Sequence, residues 1–170
     1  METTLAPVQE YLATSFPDGD REYIDGAIRE RNLGEGDHAW VQSRLVVYFA
    51  IHFPKLWTVA ELRVQVSSTR YRIPDVFVAA ERPPGRIATT PPLLVVEVLS
   101  PDDRVGDLEE KLADYFGFGV PCAWVINPRT RRGFVHTPGR NAEVSDGVLT
   151  TPDGRIEAPL ESILEPAGEI

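Results

Sequence analysis

The chain has 170 residues, 42% hydrophobic and 25% charged, which suits one globular domain and excludes wholesale disorder. Lys and Arg number 17 against 26 Asp and Glu, a net charge of −9, so contact with a polyanion has to run through local arginines or metal ions. The single cysteine, Cys122, excludes an internal disulfide framework and a cysteine-rich zinc site.

In chain order, residues 8–16 suit a short helix. Residues 21–30 carry Asp25-Gly26 between short alternating runs, the usual hairpin signal. A loop over 31–36 leads to Asp37, which is expected to N-cap a helix to about Ile51, with Val41, Leu45, Tyr48, Phe49 and His52 at helical spacing and Pro54 closing it. Residues 57–67 alternate as one strand and 70–80 as a second, with Pro74 inside it. The proline-rich stretch 82–92 is a loop. Residues 93–99 form an apolar strand, 107–117 a helix with Asp107 and Glu110 in a capping-box-like start, and 121–127 another apolar strand. Residues 132–136 make a further strand, with 143–150 its hairpin partner. The glutamates at 157, 161, 165 and 169, interrupted by Pro159 and Pro166, suit a solvated acidic tail with one helical turn. A helix between two apolar strands implies one parallel crossover. The fold class is therefore α/β with a mixed central sheet. The longest apolar run, residues 45–51, is far short of the ~20 residues that cross a bilayer, and the start Met-Glu-Thr-Thr lacks a signal peptide's basic and apolar regions. No membrane partner and a cytoplasmic address are expected.

Two carboxylates stand in apolar strands. Glu97 shares a strand face with Leu93, Val95 and Leu99, and Asp75 shares one with Ile73, Phe77 and Ala79. Buried ionised carboxylates cost several kcal/mol unless they are paired or coordinated. A hard divalent cation between them answers their repulsion. Lys111, one of only two lysines, falls with Leu108, Leu112 and Tyr115 on or beside the apolar stripe of its helix. Its ammonium can meet Glu97, Asp75 or a substrate phosphate, or turn outward to Asp107 or Asp114. His38 opens the second helix, as a metal ligand, a phosphate contact or a partly exposed first-turn residue. Glu22 and Glu30 lie on opposite arms of the hairpin. Arg129, Arg131, Arg132 and Arg140, with Arg82 and Arg86, offer phosphate contacts or simply a solvated surface.

The string Arg72-Ile73-Pro74-Asp75-Val76, then Leu94-Val95-Val96-Glu97-Val98-Leu99-Ser100-Pro101, then Lys111 and Tyr115, then residues 119–128 (Gly-Val-Pro-Cys-Ala-Trp-Val-Ile-Asn-Pro) resembles the Uma-two family of restriction endonucleases, within the PD-(D/E)XK phosphodiesterase superfamily. The upstream Glu22-Tyr23-Ile24-Asp25-Gly26 and the His38 helix are similar to its N-terminal part, so the resemblance spans about residues 20–165. It implies a restriction-endonuclease-like mixed sheet flanked by helices, with an N-terminal hairpin, as a single domain over residues 1–170. Asp75 matches the Asp of the Pro-Asp motif and Glu97 the acid on the next strand, together holding one or two Mg²⁺ or Mn²⁺ ions. The basic superfamily pattern has a lysine two residues after that acid, where this chain has Leu99. Lys111, on the following helix, matches the migrated lysine of this family. DNA is then the implied substrate and a homodimer the implied assembly, with His38, Glu22 and Glu30 as further candidates. Two other readings stay open: an inactive nuclease-fold module for oligomerisation or regulation, and a phosphate-ester hydrolase acting on small nucleotides.

Overall fold

In the computed structural model, which describes residues 5–32 and 35–165, the strands divide between two main sheets. After helix α1 (Val8–Ala13), the hairpin β1 (Glu22–Ile24) and β2 (Ala27–Arg29) turns at Asp25 and Gly26. Both turn residues have positive φ, 50° and 95°, as a two-residue hairpin turn of the I′ kind requires. Next come α2 (Gly36–His52), β3 (Trp57–Ala60), β4 (Val64–Ser67), β5 (Arg70–Arg72), β6 (Val76–Ala79) and β7 (Leu94–Val98). They are followed by α3 (Val105–Phe118), β8 (Ala123–Asn127), β9 (Arg132–Thr137), β10 (Arg140–Glu143), β11 (Val148–Thr150), β12 (Glu157–Pro159) and α4 (Leu160–Leu164). One sheet has the order β2-β1-β5-β4 and the other β10-β9-β8-β7-β6-β3, while β11 and β12 pair separately. Strands β7 and β8 are parallel across α3, and the other named pairs are antiparallel, so the mixed sheet is as expected.

Alternation sorts the large sheet's two faces. Val76, Val78, Leu94, Val96, Val98, Trp124 and Ile126 pack with Val41, Leu45 and Phe49 of α2 and with Leu160 and Ile163 of α4. Phe77, Val95, Ala123 and Val125 pack on the other side with Leu112 and Tyr115 of α3. Glu97 belongs to this second face, beneath α3.

Several expectations need correction. The strand expected over 57–67 is two strands in different sheets: Glu61 adopts φ 55°, and β3 and β4 become edges of separate sheets. The strand expected over 70–80 breaks at Pro74, which has no N–H for a ladder, and β5 and β6 also part company. The N-terminal hairpin joins β5 and β4 in the four-stranded sheet. Neither Asp37 nor Asp107 caps a helix. The N-caps are Glu35 and Arg104, and both aspartates lie in the first turn, where the helix dipole still favours them. Residues 143–150 do not pair as one strand with β9: β10 does so, and β11 pairs with β12. The tail is not merely solvated, because Leu160, Ile163 and Leu164 are buried while Glu157, Glu161 and Glu165 face water. Pro166 and Glu169 lie outside the described residues, as do residues 33–34 of the expected loop.

Helix α3 stops at Gly119, with φ 112°, whose N–H reaches back to the carbonyls of Tyr115 and Phe116. A Cβ here would stand 3.2 Å from Cγ of Pro91. Gly119→Ala is expected to cost ~1–2 kcal/mol, read by thermal denaturation, through left-handed backbone strain, with the close approach to Pro91 adding to it. An unchanged melting temperature would contradict that strain.

Candidate active site

The site forms where the chain crosses from one sheet to the other. Antiparallel pairing of β6 with β7 sets Val76 opposite Val96. Continuing that register by one residue puts Asp75 opposite Glu97. Pro74 ends the ladder there, so the backbone groups around the crossing need side-chain partners. The N–H of Ile73 donates to Oε1 of Glu22 at 2.9 Å, and its carbonyl accepts from Nζ of Lys111 at 3.1 Å. The carbonyl of Asp75 accepts from Nε2 of Gln42 at 3.0 Å. Its carboxylate takes the N–H of Val98 on Oδ2 at 2.7 Å, tying the crossing to the end of β7.

Glu22, Asp75 and Glu97 are all buried, and each is matched by cations or donors. Lys111 Nζ lies 2.8 Å from Oε2 of Glu97 and 3.2 Å from Oε1 of Glu22. The Tyr115 hydroxyl donates to Oε1 of Glu97 at 2.7 Å. Arg72 holds the other oxygen of Glu22 at 2.9 Å and also binds Asp114. Arg31 meets Oδ1 of Asp75 at 2.8 Å, and Nε2 of His38 lies 3.2 Å from Oδ2. Glu22, Arg31, His38, Asp75, Glu97 and Lys111 line a cavity of about 410 Å³ that continues past Leu99 and Ser100 toward Asp103 and Arg104. The cavity lies beyond the carboxyl end of β7, the usual place for ligands in parallel-stranded sheets.

Protonation follows from these contacts. Burial works against the Lys111 ammonium, but Glu22, Glu97 and Asp75 outweigh it and hold the lysine protonated well above its ordinary range. Burial pushes Glu97 up to about 7, and the nearby Asp75 charge adds to this, although Lys111 and Tyr115 both pull it down. Burial also opposes ionisation of Asp75, yet His38, Lys111 and Arg31 together keep it below the usual carboxylate range. Glu22 is likewise lowered, because Lys111 and Arg72 overcome its burial. His38 is raised by its hydrogen bond to Asp75.

A family model described as "Putative restriction endonuclease" (Uma2) matches residues 8–161. The chain belongs to the Uma2 family. No curated protein matches this Uma2 chain significantly. A crystal structure from Anabaena variabilis, described as "a putative nuclease belonging to DUF820", matches it with a TM-score of 0.80 and 20% identity, over 92% of this chain and 96% of that one. At that identity the likeness is one of fold, and it extends across both sheets.

In the Uma2 chain, then, five of the six residues singled out from sequence converge: Asp75, Glu97, Lys111, His38 and Glu22. Glu30 does not join them. It reaches the cavity rim, is 77% exposed and pairs with Arg21 at 3.0 Å. Lys111 does not turn to Asp114, which Arg70 and Arg72 occupy at 2.9 and 2.6 Å. Of the arginine cluster, Arg131 and Arg132 are bound to Glu165 and Glu143. Tyr115, four residues after Lys111 on the same helical face, has a role that this spacing foreshadows. Arg72 and Arg31 carry no such signal, since their partners come from distant elements. Among the described residues no helix is long and apolar enough to cross a membrane.

Proposed function

We propose that this Uma2 chain is a metal-dependent endonuclease that hydrolyses DNA phosphodiesters, with residues 1–170 acting as one nuclease-like domain. Asp75 and Glu97 would hold Mg²⁺ or Mn²⁺. The observation that carries the reading is the pair of buried carboxylates at facing ends of β6 and β7, opening on one cavity with Nζ of Lys111 2.8 Å from Glu97. Among the described residues no three His, Cys, Asp or Glu side chains form a ready-made metal cage. The donor set still fits a hard cation of the Mg²⁺ type, which takes one or two carboxylates and keeps several waters. Asp75 and Glu97, both buried at the facing ends of β6 and β7, supply those two carboxylates.

A divalent ion bound there supplies Lewis-acid stabilisation of the phosphoryl oxygens and a more acidic water. The remaining roles belong to the chain. Lys111, its ammonium held by Glu22 and Glu97, is a fixed positive charge, suited to orienting water and to the charge that builds on phosphorus oxygens. Glu22 and the Ile73 carbonyl fix its ammonium in place. Tyr115 orients Glu97, and His38 and the Val98 N–H orient Asp75.

With Mn²⁺, the purified chain is expected to nick supercoiled plasmid and to prefer duplex over single-stranded DNA and mononucleotides. Asp75→Asn should reduce both Mn²⁺ binding by calorimetry and nicking by at least ~100-fold. A wild-type chain that binds no divalent ion, with the variant nicking equally well, overturns the reading. Activity on mononucleotides alone would instead indicate a small phosphate-ester substrate.

A further inference from the structure

The buried carboxylates of the site are already neutralised by side chains. Glu22 faces Lys111 and Arg72, Glu97 faces Lys111, and Asp75 faces Arg31 and His38. A divalent ion entering such a balanced cluster adds charge without a partner, unless one of the resident cations withdraws. The fold singles out which one can. Lys111 is bound by three oxygens and rides on α3. Arg72, on β5, is 3% exposed and bridges Glu22 and Asp114. His38 is built into the first turn of α2, which fixes where its ring can sit, and its Nε2 lies 3.2 Å from Oδ2 of Asp75.

Arg31 differs from all three. It lies between β2 and α2, in neither strand nor helix, and its side chain is 18% exposed. Its second contact is Glu61 at 3.4 Å, a carboxylate 51% exposed, which is worth little. Its departure breaks no backbone ladder and strands no other cation. Its guanidinium also lines the cavity into which a phosphate would have to come.

We propose that Arg31 is an exchangeable counter-ion: it neutralises Asp75 until a divalent cation takes that carboxylate, then turns its guanidinium to the incoming phosphodiester. The inference rests on Asp75 being a metal ligand. The exchange limits the charge added to the cluster, because the ion takes over the carboxylate that the guanidinium held and the freed guanidinium meets the phosphodiester's negative charge. A planar guanidinium is suited to both partners, because it forks onto carboxylate and phosphate oxygens alike. Arg31 is thus a positioning residue that holds the acid for the metal and delivers positive charge where the substrate's negative charge arrives.

The test is calorimetric titration of Mn²⁺ alone into wild type, Arg31→Ala, Arg31→Met and Asp75→Asn. Arg31→Met keeps the apolar stem and serves if Arg31→Ala folds poorly. Both Arg31 variants are expected to bind Mn²⁺ roughly tenfold more tightly than wild type. With Ca²⁺ in place of Mn²⁺, they should bind a fluorescent DNA duplex roughly threefold more weakly or worse, with a shallower salt dependence. Mn²⁺ affinity that is unchanged or weaker in the Arg31 variants, while Asp75→Asn loses it, overturns the exchange alone. Unchanged duplex affinity overturns the hand-over to phosphate. Equal Mn²⁺ binding by wild type and Asp75→Asn removes Asp75 as a ligand, and the exchange with it.

Discussion

Lys111→Ala is expected to lower plasmid nicking by about a hundredfold or more and to destabilise the fold by ~3–5 kcal/mol. The stability loss has a definite source. Lys111 is the shared partner of Glu22 and Glu97, and its removal leaves two buried carboxylates close together, faced by Arg72, Tyr115 and the Ile73 N–H but no longer by an ammonium between them. It also frees the Ile73 carbonyl at the point where the chain changes sheets. The two effects can be separated. Lys111→Met combined with Glu22→Gln removes the ammonium and one of the two carboxylates it faced, and should recover part of the lost stability in denaturant titrations while nicking stays low. Recovery of nicking along with stability would show that Lys111 only holds the fold together.

Trp124→Ala is expected to cost ~3–5 kcal/mol and to lower the melting temperature by roughly 10 °C. Trp124 is fully buried on β8 and stacks on Phe49 of α2 with ring centroids 6.0 Å apart. It lies on the face of the sheet opposite Glu97, whose register partner on β8 is Val125. Trp124→Phe should restore much of the stability by keeping an aromatic ring against Phe49. A loss below ~1 kcal/mol for Trp124→Ala would contradict this account of how α2 is seated, and hence of how His38 and Gln42 are carried to Asp75.

Features governed by short-range periodicity were legible in the residues. Asp25-Gly26 specifies a turn that few other dipeptides can make, so the hairpin was visible. The apolar runs around Glu97 and Trp124, with an amphipathic helix between them, announced a parallel crossover. A carboxylate interrupting an apolar strand is conspicuous because burial penalises its charge, which marked Asp75 and Glu97 as a place for chemistry. The resemblance carried by the surrounding strings reached the same positions from another direction.

What the residues left undecided depends on partners distant along the chain. Lys111 had two plausible directions, and the one it takes follows from Glu22, 89 positions earlier, and from Arg70 and Arg72 having claimed Asp114. Arg31 gives no local hint of meeting Asp75, 44 positions later. The alternating runs over 57–67 and 70–80 hid their breaks, because period-two patterning says which way side chains face but not which neighbouring strand they join. Local patterning tells which groups are costly to bury, since that cost belongs to each residue alone. The compensation is settled by packing, because charges are neutralised by whatever the folded chain brings within about 3 Å.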